Sequence, residues 1–228
     1  MCTINTNKIY LTWRKDVYKN RHIIGVLEKE ENEYIFKYIE KNLKKANQED
    51  EFTNYPAFDD VRKTYSDNVL EVFKRRLLNP QRRDYEDFLN YWGAINYKED
   101  VFSLLGLTGA KLLTDNFEFI APHEEIPAVF NTDVSWLNTK SQSLVDEIRL
   151  LSDEEVEKFI SLELEPDNIY CKKSVKVMFK NELLGYIKSI HCDNVFDAIS
   201  NNHTVNTKVA NIIKNGTIKE VLLRIEIL

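Results

Sequence analysis

The residues best equipped for binding chemistry fall together between positions 166 and 188. Tyr170, Cys171, Lys172 and Lys173 are consecutive: an aromatic ring, a thiol and two ammonium groups. A tyrosine ring can stack on a nucleobase, because every base offers a π-face. Ammonium groups pair with phosphate. Lys176, Lys180 and Lys188 follow, with Tyr186 among them. Glu182 is the sole acid from 168 to 190, so this stretch carries a local charge of +4 in a chain of formal charge −6. That is the sign pattern of a localised anion site. Two plainer readings stand beside it. Lysines alternating along a hairpin also describe a solvated outer face, and tyrosines favour pleated surfaces for packing reasons alone.

Other reactive constellations are absent from the sequence. Cys171, His191 and Cys192 invite a metal site, but zinc takes four ligands, or three and a water, at paired spacing. No Cys-x-x-Cys is present, and on a strand the adjacent His191 and Cys192 would point apart. No metal is expected, and the cysteines read as buried free thiols. The cations beside Cys171 would lower its pKa and leave a redox role open. There is no nucleophile elbow, phosphate loop or His–carboxylate motif, so the chain reads as a non-enzymatic protein without a cofactor. Arg75-Arg76 and Arg82-Arg83 suit phosphate or protein contacts, or, for Arg76, the carbonyls at a helix end. Trp13, Trp92 and Trp136 are assigned to the core.

The loop needs rigid flanks. Pro166 and Asp167-Asn168 end a strand and open the loop. Val175, Val177 and Phe179 then alternate with Lys176, Met178 and Lys180, the period of a half-buried strand. Lys180-Asn181-Glu182 makes a turn, and Gly185 in the returning strand suits a close backbone approach. The loop is thus carried on a hairpin.

The rest of the chain divides into two halves. Ile9–Trp13, Ile23–Leu27 and Tyr34–Tyr38 predict an antiparallel meander, with Arg14–His22 a charged turn and Lys41–Glu51 a solvated connection. Ser66-Asp67 opens a helix carrying Val69, Val72, Phe73, Arg76 and Leu77, stopped by Asn79-Pro80. Asp84 caps a second, with Tyr85, Phe88, Leu89 and Trp92 on one face and Gly93 at its end. Asp100 starts a third, ended by Gly106. Leu113–Ile120 alternates, with Phe117 and Phe119 on one face. Residues 121–127 hold two prolines and no apolar period, which marks a connector. Residues 1–121 carry 19 Lys and Arg against 20 Asp and Glu, net −1; the remainder carries 12 against 17, net −5.

Beyond the connector, Val129–Leu137, Leu144–Leu151 and Lys158–Glu165 predict strands, with capping-box spacing at Ser152–Glu155. A helix begins at Cys192-Asp193. Val221, Leu223, Ile225 and Ile227 define a closing strand. Many short strands with one or two helices predict a small barrel. The fold class is therefore α+β: antiparallel strands plus a few helices, then a small β-barrel.

Composition sets the bounds. At 228 residues and 43% hydrophobic content the chain can form two domains with packed cores. Three cysteines, an odd number, suit a reducing compartment better than a disulfide scaffold. The polar stretch Met1–Lys8 lacks an apolar signal region, and no run approaches a membrane span. A cytoplasmic protein with no membrane association is the expectation.

Two stretches resemble known families. Residues 129–228 resemble the HIRAN domain through Glu165-Pro166-Asp167-Asn168-Ile169-Tyr170, Ser174-Val175-Lys176-Val177 and Leu184-Gly185-Tyr186-Ile187. The resemblance implies a small β-barrel that binds single-stranded DNA or DNA ends. Tyr170 would stack on the terminal base, Tyr186 would line the pocket and Lys188 would sit near phosphate. Lys172 and Lys176 complete the implied basic lining. Cys171 stands where the family has an Asp that contacts the terminal hydroxyl. An Arg–aromatic pair of the family falls near Trp136-Leu137-Asn138, with no Arg present and Asn138 as the polar group. Residues 8–121 resemble the N-terminal subdomain of HipA-type toxin kinases, also found as a separate antitoxin. The residues concerned are Ile24-Gly25-Val26-Leu27, Phe36-Lys37-Tyr38, Val72-Phe73 with Arg76-Leu77, and Asp100–Leu105 with Thr108-Gly109. This implies a module that binds a kinase or another protein partner; the kinase core has no counterpart. Bacterial proteins join the two segments, with residues 122–128 as the linker.

Overall fold

Local chemistry sets the first element pairs. Lys8–Trp13 (β1), His22–Lys29 (β2) and Tyr34–Tyr38 (β3) are rich in β-branched and aromatic residues and pair antiparallel. The computed structural model describes residues 6–16, 19, 21–31, 33–123 and 126–228. Parts of the polar N-terminal segment, of the charged turn at 14–22 and of the connector at 121–127 lie outside these. The chain forms two units, one of residues up to Pro122 and one from His123 to Leu228.

In the first unit, Phe117–Ile120 (β4) completes a sheet of order β3-β2-β1-β4. Four helices accompany it: Glu40–Asp50 (α1), Val69–Lys74 (α2), Tyr85–Trp92 (α3) and Val101–Thr108 (α4). The core is aromatic. Phe36 lies 5.0 Å from Phe58 and 5.3 Å from Phe73, and Phe73 lies 4.7 Å from Phe119. Arg76 is buried and holds the helical layer to β4. Its guanidinium forms two parallel bonds to Asp115, at 2.7 and 2.8 Å, and donates to the carbonyls of Ala110 and Phe117.

Several expectations change here. Lys41–Glu51 is not a loop but most of α1. Its apolar face is only Leu43 and Ala46, so charge masks the period. Buried Asp50 ties the helix to the sheet by accepting from His22 Nε2 at 2.8 Å. α4 continues through Gly106 and ends at Gly109, whose φ of 72° is the left-handed conformation that glycine adopts freely. Only the last four residues of the 113–120 stretch are strand. α3 falls where the spacing places it, although Asp84 makes no side-chain cap bond; α2 is shorter than expected, beginning after Asn68 rather than Ser66-Asp67 and ending at Lys74, so Arg76 and Leu77 lie beyond it.

In the second unit, Ala128–Asp133 (β5), Ile160–Glu165 (β6), Ser174–Phe179 (β7), Glu182–Tyr186 (β8), Val205–Lys214 (β9) and Ile218–Ile227 (β10) form two antiparallel sheets, β5-β10-β9 and β6-β7-β8. Gln142–Leu150 (α5), Asp153–Glu157 (α6) and Ser189–Ser200 (α7) accompany them. The predicted strand at Leu144–Leu151 is helix α5. Ser141 caps it, and Leu144, Val145 and Ile148 are its buried residues, a short run that fits either period. α7 begins at Ser189, so His191 and Cys192 sit on a helix rather than a strand. The capping box at Ser152–Glu155 is present.

The class is α+β, but the strands do not close into a barrel among the described residues. The sheets are joined on one side by a two-bond bridge between Ser135 and Tyr186. On the other side α6 stands where strand pairing would be. Glu157 accepts from the Val209 amide at 2.9 Å and Asp153 from the Ile212 amide at 3.0 Å. These carboxylates occupy edge amides that would otherwise recruit another strand. The closing strand β10 buries Val221, Leu223, Ile225 and Ile227, as its alternation requires. No helix among the described residues is long and apolar enough to cross a membrane.

His123, at the start of the second unit, is docked against it. Its ring stacks on Phe130 at 4.3 Å, Phe130 stacks on buried His191 at 4.6 Å, and Asn194 donates to the His123 carbonyl. Burial pulls the His123 imidazole down to about 4 and His191 well below its ordinary value.

Two outcomes follow. Arg76 is buried while Asp115 keeps contact with solvent, so Arg76→Ala should lower unfolding free energy by about 3 kcal/mol, the lower end for breaking a buried pair, in a denaturant titration. Both histidines have depressed folded pKa values, so the unfolded chain takes up protons first as pH falls. For His123 the contribution is complete above an unfolded value near 6.5 and is lost between there and about 4; His191 acts in the same direction. For His123 the loss is at most about 3 kcal/mol, an upper bound because the residue keeps some exposure. Stability measured from pH 7.5 to 4.5 should fall more steeply in the natural protein than in His123→Phe; parallel curves would contradict this.

Candidate nucleic-acid interface

The loop from 166 to 173 leaves the end of β6 and returns at the start of β7. One side chain gives it shape. Asn168 Oδ1 accepts from the amides of Tyr170 at 2.9 Å and Cys171 at 3.2 Å, an Asx-type turn. Its Nδ2 donates to Glu165 Oε2 at 2.6 Å. The other Glu165 oxygen pairs with Lys176 Nζ at 2.7 Å, and the Tyr186 hydroxyl also bonds this carboxylate. The bonds from Asn168, Lys176 and Tyr186 hold the Glu165 carboxyl below the usual range. Burial, then the neighbouring carboxylate, pushes the Tyr186 phenol up. The Glu165 bond likewise raises Lys176.

The large side chains at the tip stay in solvent. Tyr170 is 79% exposed and Ile169 86% exposed. Lys172 is exposed, and among the described residues it has no hydrogen-bond or ion-pair partner. The other lysines of the +4 stretch are all paired. Lys173 meets Asp197 at 2.6 Å, Lys176 meets Glu165, Lys180 meets Glu147, and Lys188 meets Asp133. The four carboxylates lie outside positions 168–190, which is why a local count missed them. The predicted anion patch is therefore largely neutralised, and Lys172 is its free cation.

The remaining residues singled out in the sequence are placed as follows. Tyr186 is half-buried, and its phenol bonds Glu165. Asn138 uses its amide structurally: Nδ2 donates to the Leu183 carbonyl at 3.0 Å, and Oδ1 accepts from the Lys140 amide. Cys171 is partly exposed, while Cys192 is buried, with its thiol pushed up to about 12 by burial. Among the described residues no group of His, Cys, Asp or Glu converges as metal ligands would.

Trp136 corrects the sequence reading. It is not core but 55% exposed, and its φ of 55° is uncommon for a bulky side chain. Its neighbours hold it there. Ser135 is bonded to Tyr186 in both directions at 2.8 Å, and the Asn138 amide donates to the Leu184 carbonyl at 2.8 Å. The segment crosses β8 so closely that a Cβ on Gly185 would lie 2.4 Å from Val134 Cγ1 and 2.6 Å from the Ser135 carbonyl oxygen. Bonded groups thus link the two exposed aromatics: Trp136 follows Ser135, which bridges Tyr186, whose phenol bonds Glu165, which holds Asn168 and so Tyr170. Gly185 was the available signal, since a glycine within a strand marks a close crossing. Asn168 and Glu165 were visible only as a strand end.

No family model matches the chain, and no curated protein matches it. Among solved structures it is similar to the crystal structure of the HIRAN domain of human HLTF. The identity is 18% and the TM-score 0.32, over 43% of this chain and 74% of that one.

Gly185→Ala should lower stability by about 1–3 kcal/mol, the usual range for overpacking, read from a denaturant midpoint. An unchanged midpoint would mean that the crossing at 134–138 has slack.

Proposed function

We propose that the second unit is a binding module for single-stranded nucleic acid, including exposed ends, and performs no chemistry itself. The observation that carries this is Tyr170: an exposed ring on a loop fixed from below, with an unpaired ammonium at Lys172. Trp136 adds a second exposed ring connected to the same network. Rigid aromatic rings in solvent suit stacking on unpaired bases, at about 1–3 kcal/mol per base. The motif residues from Glu165 to Tyr170 and from Leu184 to Ile187, which resemble the HIRAN pattern, coincide with this network. That agreement supports the reading.

The paired lysines define how the site would bind. With four ammonium groups already facing carboxylates, the contact is dominated by stacking and involves few phosphates. Each phosphate neutralised on a single strand contributes about −0.7 to the slope of log affinity against log salt.

Tyr170→Ala should weaken binding of a labelled oligothymidylate about tenfold or more at low salt. The natural protein should show a salt slope of about −1, for one or two phosphate contacts. Fluorescence anisotropy across a salt series measures both. Undiminished binding by Tyr170→Ala would overturn the reading, and a steep slope would assign binding to a different, basic surface.

A further inference from the structure

We propose that Asn168 is a positioning residue for Tyr170, acting through its bond to Glu165, and that this pair sets how tightly the exposed ring engages a base. The inference rests on the reading above, that Tyr170 meets nucleic acid. Asn168 itself touches no base in this arrangement. Both polar atoms of its side chain face inward, one to the Glu165 carboxylate and one to the amides of Tyr170 and Cys171. A carboxylate only accepts, so it must meet Nδ2, and Oδ1 is then left to face the two amides. Glu165 thereby orients the asparagine as well as anchoring it. Its own position is fixed by Lys176 on β7, and the Tyr186 phenol at the end of β8 bonds the same carboxylate. The sheet's geometry is thus transmitted to the loop tip through one carboxylate and one amide.

The flanks of the loop are tied by backbone bonds from the Asn168 amide to the Glu165 carbonyl and from the Ser174 amide to the Cys171 carbonyl, and by the Lys173–Asp197 pair, while the side chains of the tip are not held. Ile169 and Tyr170 are exposed, and among the described residues neither Lys172 nor the Tyr170 hydroxyl has a bonding partner. A loop ordered before binding avoids the entropy loss of ordering on contact. Without Asn168 the same ring would remain available but would have to be immobilised by the ligand.

The test compares Asn168→Ala, Asn168→Asp, and Asn168→Asp combined with Glu165→Gln, each with and without Tyr170→Ala. Affinity for labelled oligothymidylate is read by anisotropy, and hydrogen exchange is followed at the amides of residues 170 and 171. Losing three hydrogen bonds, one to Glu165 and two from the amides of Tyr170 and Cys171, should weaken binding about tenfold in Asn168→Ala. The two amides should lose protection, while the thermal midpoint stays near that of the natural protein. Because Asn168 acts through Tyr170, its removal should cost nothing further in the Tyr170→Ala background. Asn168→Asp sets two carboxylates against each other and should bind at least as weakly. Adding Glu165→Gln lets the glutamine amide donate to the new carboxylate, which should restore affinity to within about threefold. Full additivity with Tyr170→Ala, or no recovery in the double exchange, would overturn the inference. If Tyr170→Ala weakens binding and Asn168→Ala does not, this inference alone fails. If Tyr170→Ala itself binds normally, the nucleic-acid reading fails and takes the inference with it.

Discussion

One carboxylate organises the second unit's exposed face. Glu165 ends β6, and the amide of Asn168, the ammonium of Lys176 and the phenol of Tyr186 all converge on it. Hydrogen bonds to an ionised group are among the stronger ones available, and here they converge from a loop and two strands. The group stays ionised because its donors favour the charged form more than partial burial opposes it. Tyr170 inherits its position from this arrangement, and Ser135 and Trp136 connect to it through the bridge to Tyr186. A ring that is 79% exposed and a rigid loop are compatible only because the restraint acts on the backbone and leaves the side chain free.

The same economy governs charge. The second half is acidic, yet its lysines are distributed so that Asp133, Glu147, Glu165 and Asp197 each answer one. The exposed pairs of Lys173 with Asp197 and Lys180 with Glu147 contribute little to stability, while those of Lys176 and Lys188 are partly buried. Their larger effect is on the surface field, which they flatten around the loop. Under the proposed function, a ligand approaching Tyr170 would meet an aromatic surface with, among the described residues, the free cation of Lys172 rather than a basic groove. Electrostatic steering would be weak under those conditions, leaving shape and stacking to decide what stays bound.

Much of this was legible in the sequence. The alternation of β7 and β10, the capping box at Ser152 and the face of α3 follow from periods that tertiary contacts reinforce. The failures have specific causes. α1 hides its helix because its buried face is Leu43 and Ala46 among charges, with Asp50 stabilised by a histidine 28 positions away. α5 looks like a strand in sequence because Leu144-Val145 is too short a run to separate the periods. The +4 count failed because its counterions come from β5, α5, α7 and the end of β6. Residue type alone puts Trp136 in the core, whereas the crossing at Gly185 places it outside. The lysine pairing, the burial of Asp50 and the placement of Trp136 depend on residues far along the chain, whereas α5 is ambiguous within its own window.

The central claim is that Tyr170 and its neighbours form the contact surface for unpaired bases. The most direct measurement is a titration of the isotopically labelled full chain with a short oligothymidylate, following backbone amides and tryptophan indole resonances by NMR. The account predicts progressive shifts at residues 169–172 and at the Trp136 indole, with the first unit unmoved. Shifts confined to other surfaces, or none at millimolar oligonucleotide, would contradict it.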